Sequence, residues 1–190
     1  MSGLRELPAG NYNLHTAPFM QYAPILYAED SDDDVILLQR AFVRAQLPHP
    51  LVTLRDGRAA QDYLHAAANG SPIMRATRPM PRLVLLDIKM PYLSGLEVLR
   101  WIRASPAFAG LPVLMLSSSA ADRDIEPAFQ AGANGYLVKP HSLAGLDALV
   151  AGLKGALGAN QGEVSSGDWG SIKGGRLPAS SIKGDARTLP

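Results

Sequence analysis

In the run VLLDIKMP, residues 84–91, a single carboxylate, Asp87, closes an apolar stretch just before Pro91 turns the chain. Similar endings recur elsewhere. LYAED finishes in Glu29 and Asp30, PVLMLS in Ser117, and GYLVKP in Lys139 followed by Pro140. If these apolar runs are strands of one parallel sheet, their polar ends share a rim, where three carboxylates, a hydroxyl and an ammonium meet. Converging carboxylates repel one another, and a cation must offset that repulsion. Oxygen donors without imidazole or thiolate favour a hard ion, Mg2+ before zinc or copper. Ser117 then offers a hydroxyl donor and Lys139 a compact positive charge, both suited to phosphoryl oxygens. Asp87 is the carboxylate able to attack phosphorus and form an aspartyl phosphate. A lone strand-end aspartate is more often a turn former or helix cap. The coincidence of five groups is what argues for chemistry.

The elements that position these groups follow from periodicity. PILYA (24–28), LVTL (51–54), RLVLLD (82–87), PVLMLS (112–117) and GYLV (135–138) are short apolar runs with strand character. Between them, Val35, Leu38 and Phe42, and then Leu96, Leu99 and Ile102, recur at helical spacing. Ser31 is placed to cap a helix whose first turn is Asp32, Asp33 and Asp34, carboxylates that suit the positive end of the helix dipole. Those three read as a solvated helix start and not as further ligands. Gly132 stops the fourth helical pattern, and a fifth, residues 143–157, carries Leu146, Leu149, Val150, Leu153 and Leu157 on a packing face. Strands that are apolar throughout and alternate with helices predict an α/β fold: a doubly wound, five-stranded parallel sheet covered by five helices.

Composition narrows the function. A chain of 190 residues, 47% apolar, can bury one sizeable core. A net charge of +1 provides no field strong enough to make nucleic acid or an anionic membrane the main partner. The absence of cysteine excludes disulfides, thiolate metal sites and cysteine nucleophiles, and fits a cytoplasmic protein. His15, His49, His65 and His141 lack ligand spacing, and Trp101 reads as packing. Residues 1–23 show no sustained period and no apolar leader segment, so they read as an extension of a soluble domain. After Gly158 the text turns to Gly, Ser and scattered charge, with SIKG at 171–174 and again at 181–184. That predicts a flexible C-terminal tail or dimer arm over 159–190, too short and polar for a DNA-binding output module.

Taken together, LYAEDS, LVLLDIKMPYLSGLEVL, LPVLMLSSSA and AGANGYLVKP resemble the receiver domain of two-component response regulators, over residues 24–158. The resemblance implies a flavodoxin-like fold with strand order 2-1-3-4-5 and a phosphoryl group accepted on Asp87 from a sensor histidine kinase. It implies Mg2+ held by Glu29, Asp30, Asp87 and the backbone carbonyl of Lys89, with Lys139 and Ser117 on the phosphoryl group. It further implies a cis peptide before Pro140, and a switch in which Ser117 is drawn inward and Tyr136 turns from outside to inside. The resemblance implies read-out through the face of the fourth helix, fifth strand and fifth helix, and a homodimer. EDSDDDVILLQRAF with RDGRAAQDYL is most similar to single-domain regulators paired with phytochrome-type histidine kinases, which makes a bacteriophytochrome the expected partner. Glu29 in place of the commoner Asp, and Ser117 in place of Thr, keep the chemistry. Lys89 beside the acceptor leaves dephosphorylation open, since its side chain could screen the phosphoryl group or obstruct water.

Other readings fare worse. A phosphatase with an aspartyl nucleophile of the haloacid-dehalogenase type would place a second Asp where Lys89 stands. A nucleotide site needs a Gly-rich turn after the first strand, and AEDSDDD would repel phosphates there. A pseudo-receiver, binding a partner without phosphorylation, has no need of the complete acidic and lysine set.

Overall fold

The computed structural model describes residues 22–118, 121–158 and 175–176. Nearly all of the expected N-terminal extension, and all but two residues of the expected tail, lie outside these. Five strands, β1 (Ile25–Ala28), β2 (Leu51–Leu54), β3 (Leu83–Asp87), β4 (Val113–Ser117) and β5 (Gly135–Val138), fall on the five predicted runs. They pair in parallel in the order β2-β1-β3-β4-β5, as a flavodoxin-like receiver fold requires. A two-residue strand, β6 (Gly175–Arg176), adds antiparallel to β5, with Arg176 opposite Tyr136 and Gly175 opposite Leu137.

Among the described residues six α-helices accompany the sheet where five were expected: α1 (Asp32–Arg44), α2 (Gly57–Asn69), α3 (Pro72–Thr77), α4 (Gly95–Ala104), α5 (Asp122–Gln130) and α6 (Leu143–Gly158). The unforeseen one is α3. It buries no residue, and Ile73 is 78% exposed, so no apolar period announces it. Local bonds define it instead: Ser71 Oγ accepts from the Met74 amide, Pro72 opens the first turn, and the Thr77 hydroxyl donates to the Ile73 and Met74 carbonyls.

Alternation along the strands builds two cores. Ile25 and Tyr27 of β1, Leu83 and Leu85 of β3, Leu114 and Leu116 of β4, and Leu137 of β5 pack with Leu38 and Phe42 of α1 and Leu149 and Leu153 of α6. Their neighbours Leu26, Val84, Leu86, Val113, Met115 and Tyr136 pack on the other face with Leu64 of α2, Leu99 and Ile102 of α4, and Ala128 of α5. Because side chains alternate with period two, residues 29, 87 and 139, just beyond or at the strand ends, share the parity of the α1/α6 face. Ser117 shares that of the α2/α4/α5 face. All five residues of β3 are buried, and each fully buried Leu contributes about 1.5–3 kcal/mol. Asp87 thus stands on a rigid base.

Glycine closes the turn behind it. Gly95 donates its amide to the Ile88 carbonyl at 3.1 Å, and a Cβ there would overlap the Asp87 carbonyl oxygen. Gly132, at φ +92°, ends α5 in the left-handed region that other residues resist, as the sequence predicts. At the start of α4, Ser94 Oγ accepts from the Glu97 amide while the Ser94 amide and hydroxyl both donate to Glu97 Oε2, at 2.8 and 2.7 Å.

Gly95→Ala is expected to lower stability by about 1–3 kcal/mol, read from urea unfolding, because the overlap falls on backbone that cannot step aside. The Ser94 bonds, side chain first, hold the Glu97 carboxyl below the usual glutamate range. A folded pKa below the unfolded one stabilises above the ordinary range and is lost as pH falls through the depressed value. Glu97→Gln is therefore expected to flatten stability against pH in that acid window.

Candidate phosphorylation site

The predicted groups meet. Oxygens of Glu29, Asp30 and Asp87 lie within 4.8 Å of one another at the carboxyl ends of β1 and β3. Glu29 and Asp87 are buried, at 1% and 6% exposure, whereas Asp30 faces solvent. Lys139 reaches into the cluster from the end of β5, its Nζ 2.6 Å from Asp87 Oδ1, 2.6 Å from Glu29 Oε2 and 2.8 Å from Asp34 Oδ2. The other Asp87 oxygen, Oδ2, accepts the Lys89 amide at 2.6 Å. Ser117 is buried one residue beyond Leu116, the cross-strand partner of Asp87, and its carbonyl accepts the Lys139 amide at 2.8 Å. Parallel register thus brings the end of β4 to the same rim.

Three expectations are corrected. The peptide between Lys139 and Pro140 is trans, since the described backbone contains no cis bond. The trans form of such a bond is preferred by about 0.5–1 kcal/mol, and Lys139 reaches all three carboxylates without departing from it. Tyr136 is wholly buried in the α2/α4/α5 core, so it does not start outside as the switch scheme supposed. Asp34 is not simply a solvated helix start, because it pairs with Lys139. Its neighbours match the plainer reading, Asp32 pairing with Arg55 and Asp33 standing exposed.

The sequence reading also passed over Tyr27, whose hydroxyl donates to Glu29 Oε2 at 2.7 Å from a position two residues earlier on the same strand face. Period-two spacing could have flagged it. Burial, followed by the Glu29 charge and hydrogen bond, holds this phenol well above the usual tyrosine range. Burial raises Glu29 too, only partly offset by hydrogen bonds from Lys139 and Tyr27. For Lys139, burial acts to lower the pKa, but hydrogen bonds to Asp34, Asp87 and Glu29 outweigh it and hold the ammonium above the usual lysine range. The two directions agree physically: a single cation keeps its own charge easily among several carboxylates, yet cannot neutralise them all. The residual negative charge and the all-oxygen donor set fit a hard divalent ion such as Mg2+.

Comparison with known proteins gives one family. The model described as "Response regulator receiver domain" matches residues 25–151. The chain is 38% identical over 130 residues to the probable methanogenesis regulatory protein FilR2 of Methanothrix harundinacea, covering 68% of this chain and 80% of that protein. It is 33% identical over 130 residues to response regulator Rcp1 of Synechocystis, covering 68% and 85%. The structure of the phosphorylated cyanobacterial phytochrome response regulator RcpA superposes with a TM-score of 0.61 at 33% identity, covering 70% of this chain and 91% of that one.

Lys139→Met is expected to cost about 3 kcal/mol, read from the urea midpoint of the metal-free protein, since it leaves the buried Glu29 with two neutral donors, the Tyr27 hydroxyl and the Ser31 amide at 3.2 Å, and no cation. Glu29→Gln in that background should return part of the loss.

Proposed function

Because this chain belongs to the response regulator receiver family, we propose that it is a phosphoacceptor signalling protein, with Asp87 taking a phosphoryl group from the phosphohistidine of a sensor histidine kinase. The observation that carries the reading is Asp87 at the buried end of β3, touching Lys139 Nζ at 2.6 Å, with Glu29 and Asp30 oxygens within 4.8 Å. An Asp87 carboxylate oxygen bonds to phosphorus as the phosphorus–nitrogen bond of the donor breaks; the bonding pair leaves with the imidazole nitrogen, which takes a proton from water. Lys139 donates to a phosphoryl oxygen, and Ser117 supplies a hydroxyl to another. The Lys89 amide holds the acceptor carboxylate in one orientation through the transfer. Glu29, Asp30, Asp87 and the Lys89 carbonyl would hold Mg2+, which when bound would supply positive charge to offset that on the transferred group.

The signal is read in the charge and acceptor oxygens that the new group adds. Ser117 moves toward them, and the chain after β4 follows, altering the face of α5, β5 and α6. Tyr136, already inside, acts as the packing partner against which that movement is set. The acylphosphate is then lost slowly by hydrolysis, so the protein passes a signal and does not turn over a substrate. The partner is a phytochrome-type kinase, a reading supported by relatives described as phytochrome response regulators. Metal binding is supported by the similarity to the Mn2+-bound form of Rcp1, 30% identical over 75% of this chain with a TM-score of 0.62. The protein works in the cytoplasm beside its kinase, as a homodimer. Among the described residues no helix is long and apolar enough to cross a membrane.

Incubation with Mg2+ and a labelled small phosphodonor, or with the phosphorylated kinase, is expected to label the wild type, with the label lost under alkali. Asp87→Asn should take none, and chelation of the metal should abolish labelling of the wild type. Equal label on Asp87→Asn would assign the chemistry elsewhere.

A further inference from the structure

Lys139 has three N–H bonds to give, and in this structure three carboxylates receive them. Those carboxylates are not equivalent. Glu29 and Asp87 belong to the oxygen cluster suited to a metal ion, and Asp87 also receives the phosphoryl group. Asp34 stands outside that cluster, on α1, anchored where its amide donates to Ser31 Oγ at 3.3 Å. We propose that Asp34 is the positioning residue for Lys139, holding the ammonium at the phosphorylation site once Glu29 and Asp87 are engaged by metal and phosphoryl group. The inference rests on the phosphoacceptor reading of Asp87.

Chemistry favours a tether here. A lysine ammonium rides on a flexible four-carbon stem and has no preferred direction of its own. Its side chain is only 15% exposed, so the tether acts in a largely dry setting, where a charge-assisted hydrogen bond is strong. The opposing effect is repulsion between Asp34 and an incoming phosphoryl group. The Asp34 side chain is 37% exposed, so solvent and salt screen that charge, while its bond to Nζ is direct. Positioning therefore outweighs repulsion. Asp32, two residues earlier on α1, is paired away with Arg55 and offers no substitute.

The test uses the full chain with Mg2+ and acetyl phosphate. Asp34→Ala is expected to slow labelling of Asp87 about tenfold, the loss of one charge-assisted hydrogen bond. Asp34→Asn, which keeps an oxygen acceptor without the charge, should slow it only about two- to threefold. The NMR signal of the Lys139 Cε methylene, assigned by its disappearance in Lys139→Arg, should shift in Asp34→Ala both without and with Mg2+. That signature would not move if Asp34 merely stabilised the start of α1, and should Asp34→Ala fail to fold, Asp34→Asn carries the test. Labelling at the wild-type rate, faster labelling in both variants, or an unmoved Lys139 signal in Mg2+ would each overturn the proposal. Failure of the underlying reading looks different: the wild type itself would take no label, and Asp34 would lose this role with it.

Discussion

The ion contacts of Lys139 are the constraint around which this molecule is arranged. Bringing Glu29 and Asp87 out of water is costly, and one ammonium returns only part of that cost. A sequence selected for stability alone would place apolar residues at these strand ends. The fold tolerates the cluster because β1 and β3, fully buried and central in the sheet, hold their ends where relaxation would tear the cores. Tyr27 adds a neutral donor that supports Glu29 without adding charge.

Strand parity divides the labour at the rim. Glu29, Asp87 and Lys139 carry the parity of the face where α1 packs, which is why a residue of α1, Asp34, can reach Lys139. Ser117 and Tyr136 carry the parity of the opposite face, with α2, α4 and α5. The charged groups thereby gather on one side of the sheet and the Ser117 hydroxyl and Tyr136 ring on the other, with the pleat itself as the separator.

The sequence made the framework legible where a residue type had one physical use. Apolar runs bounded by Gly and Pro marked all five parallel strands; Ser31 marked the start of α1 and Gly132 the end of α5. Glu29, Asp30, Asp87 and Lys139 could be read because each stands at or just beyond a strand end. What escaped was written in three dimensions only. The helix α3 buries nothing and leaves no period. Asp34 is one of three adjacent aspartates, and which of them faces a lysine far along the chain depends on the angle at which α1 leaves β1. The inward placement of Tyr136 and the trans bond at Pro140 are set by packing and backbone geometry that residue type alone does not specify.

The strand β6 bears on how copies of this protein behave when crowded together. A parallel sheet ending at β5 would present a row of unpaired amides and carbonyls, a template for lateral stacking of one molecule on another. Among the described residues, Gly175 and Arg176 sit antiparallel there, opposite Leu137 and Tyr136. Pairing of β5 at these positions occupies backbone groups that an arriving strand would need, and fibre-like growth from that side is discouraged by the chain's own later residues.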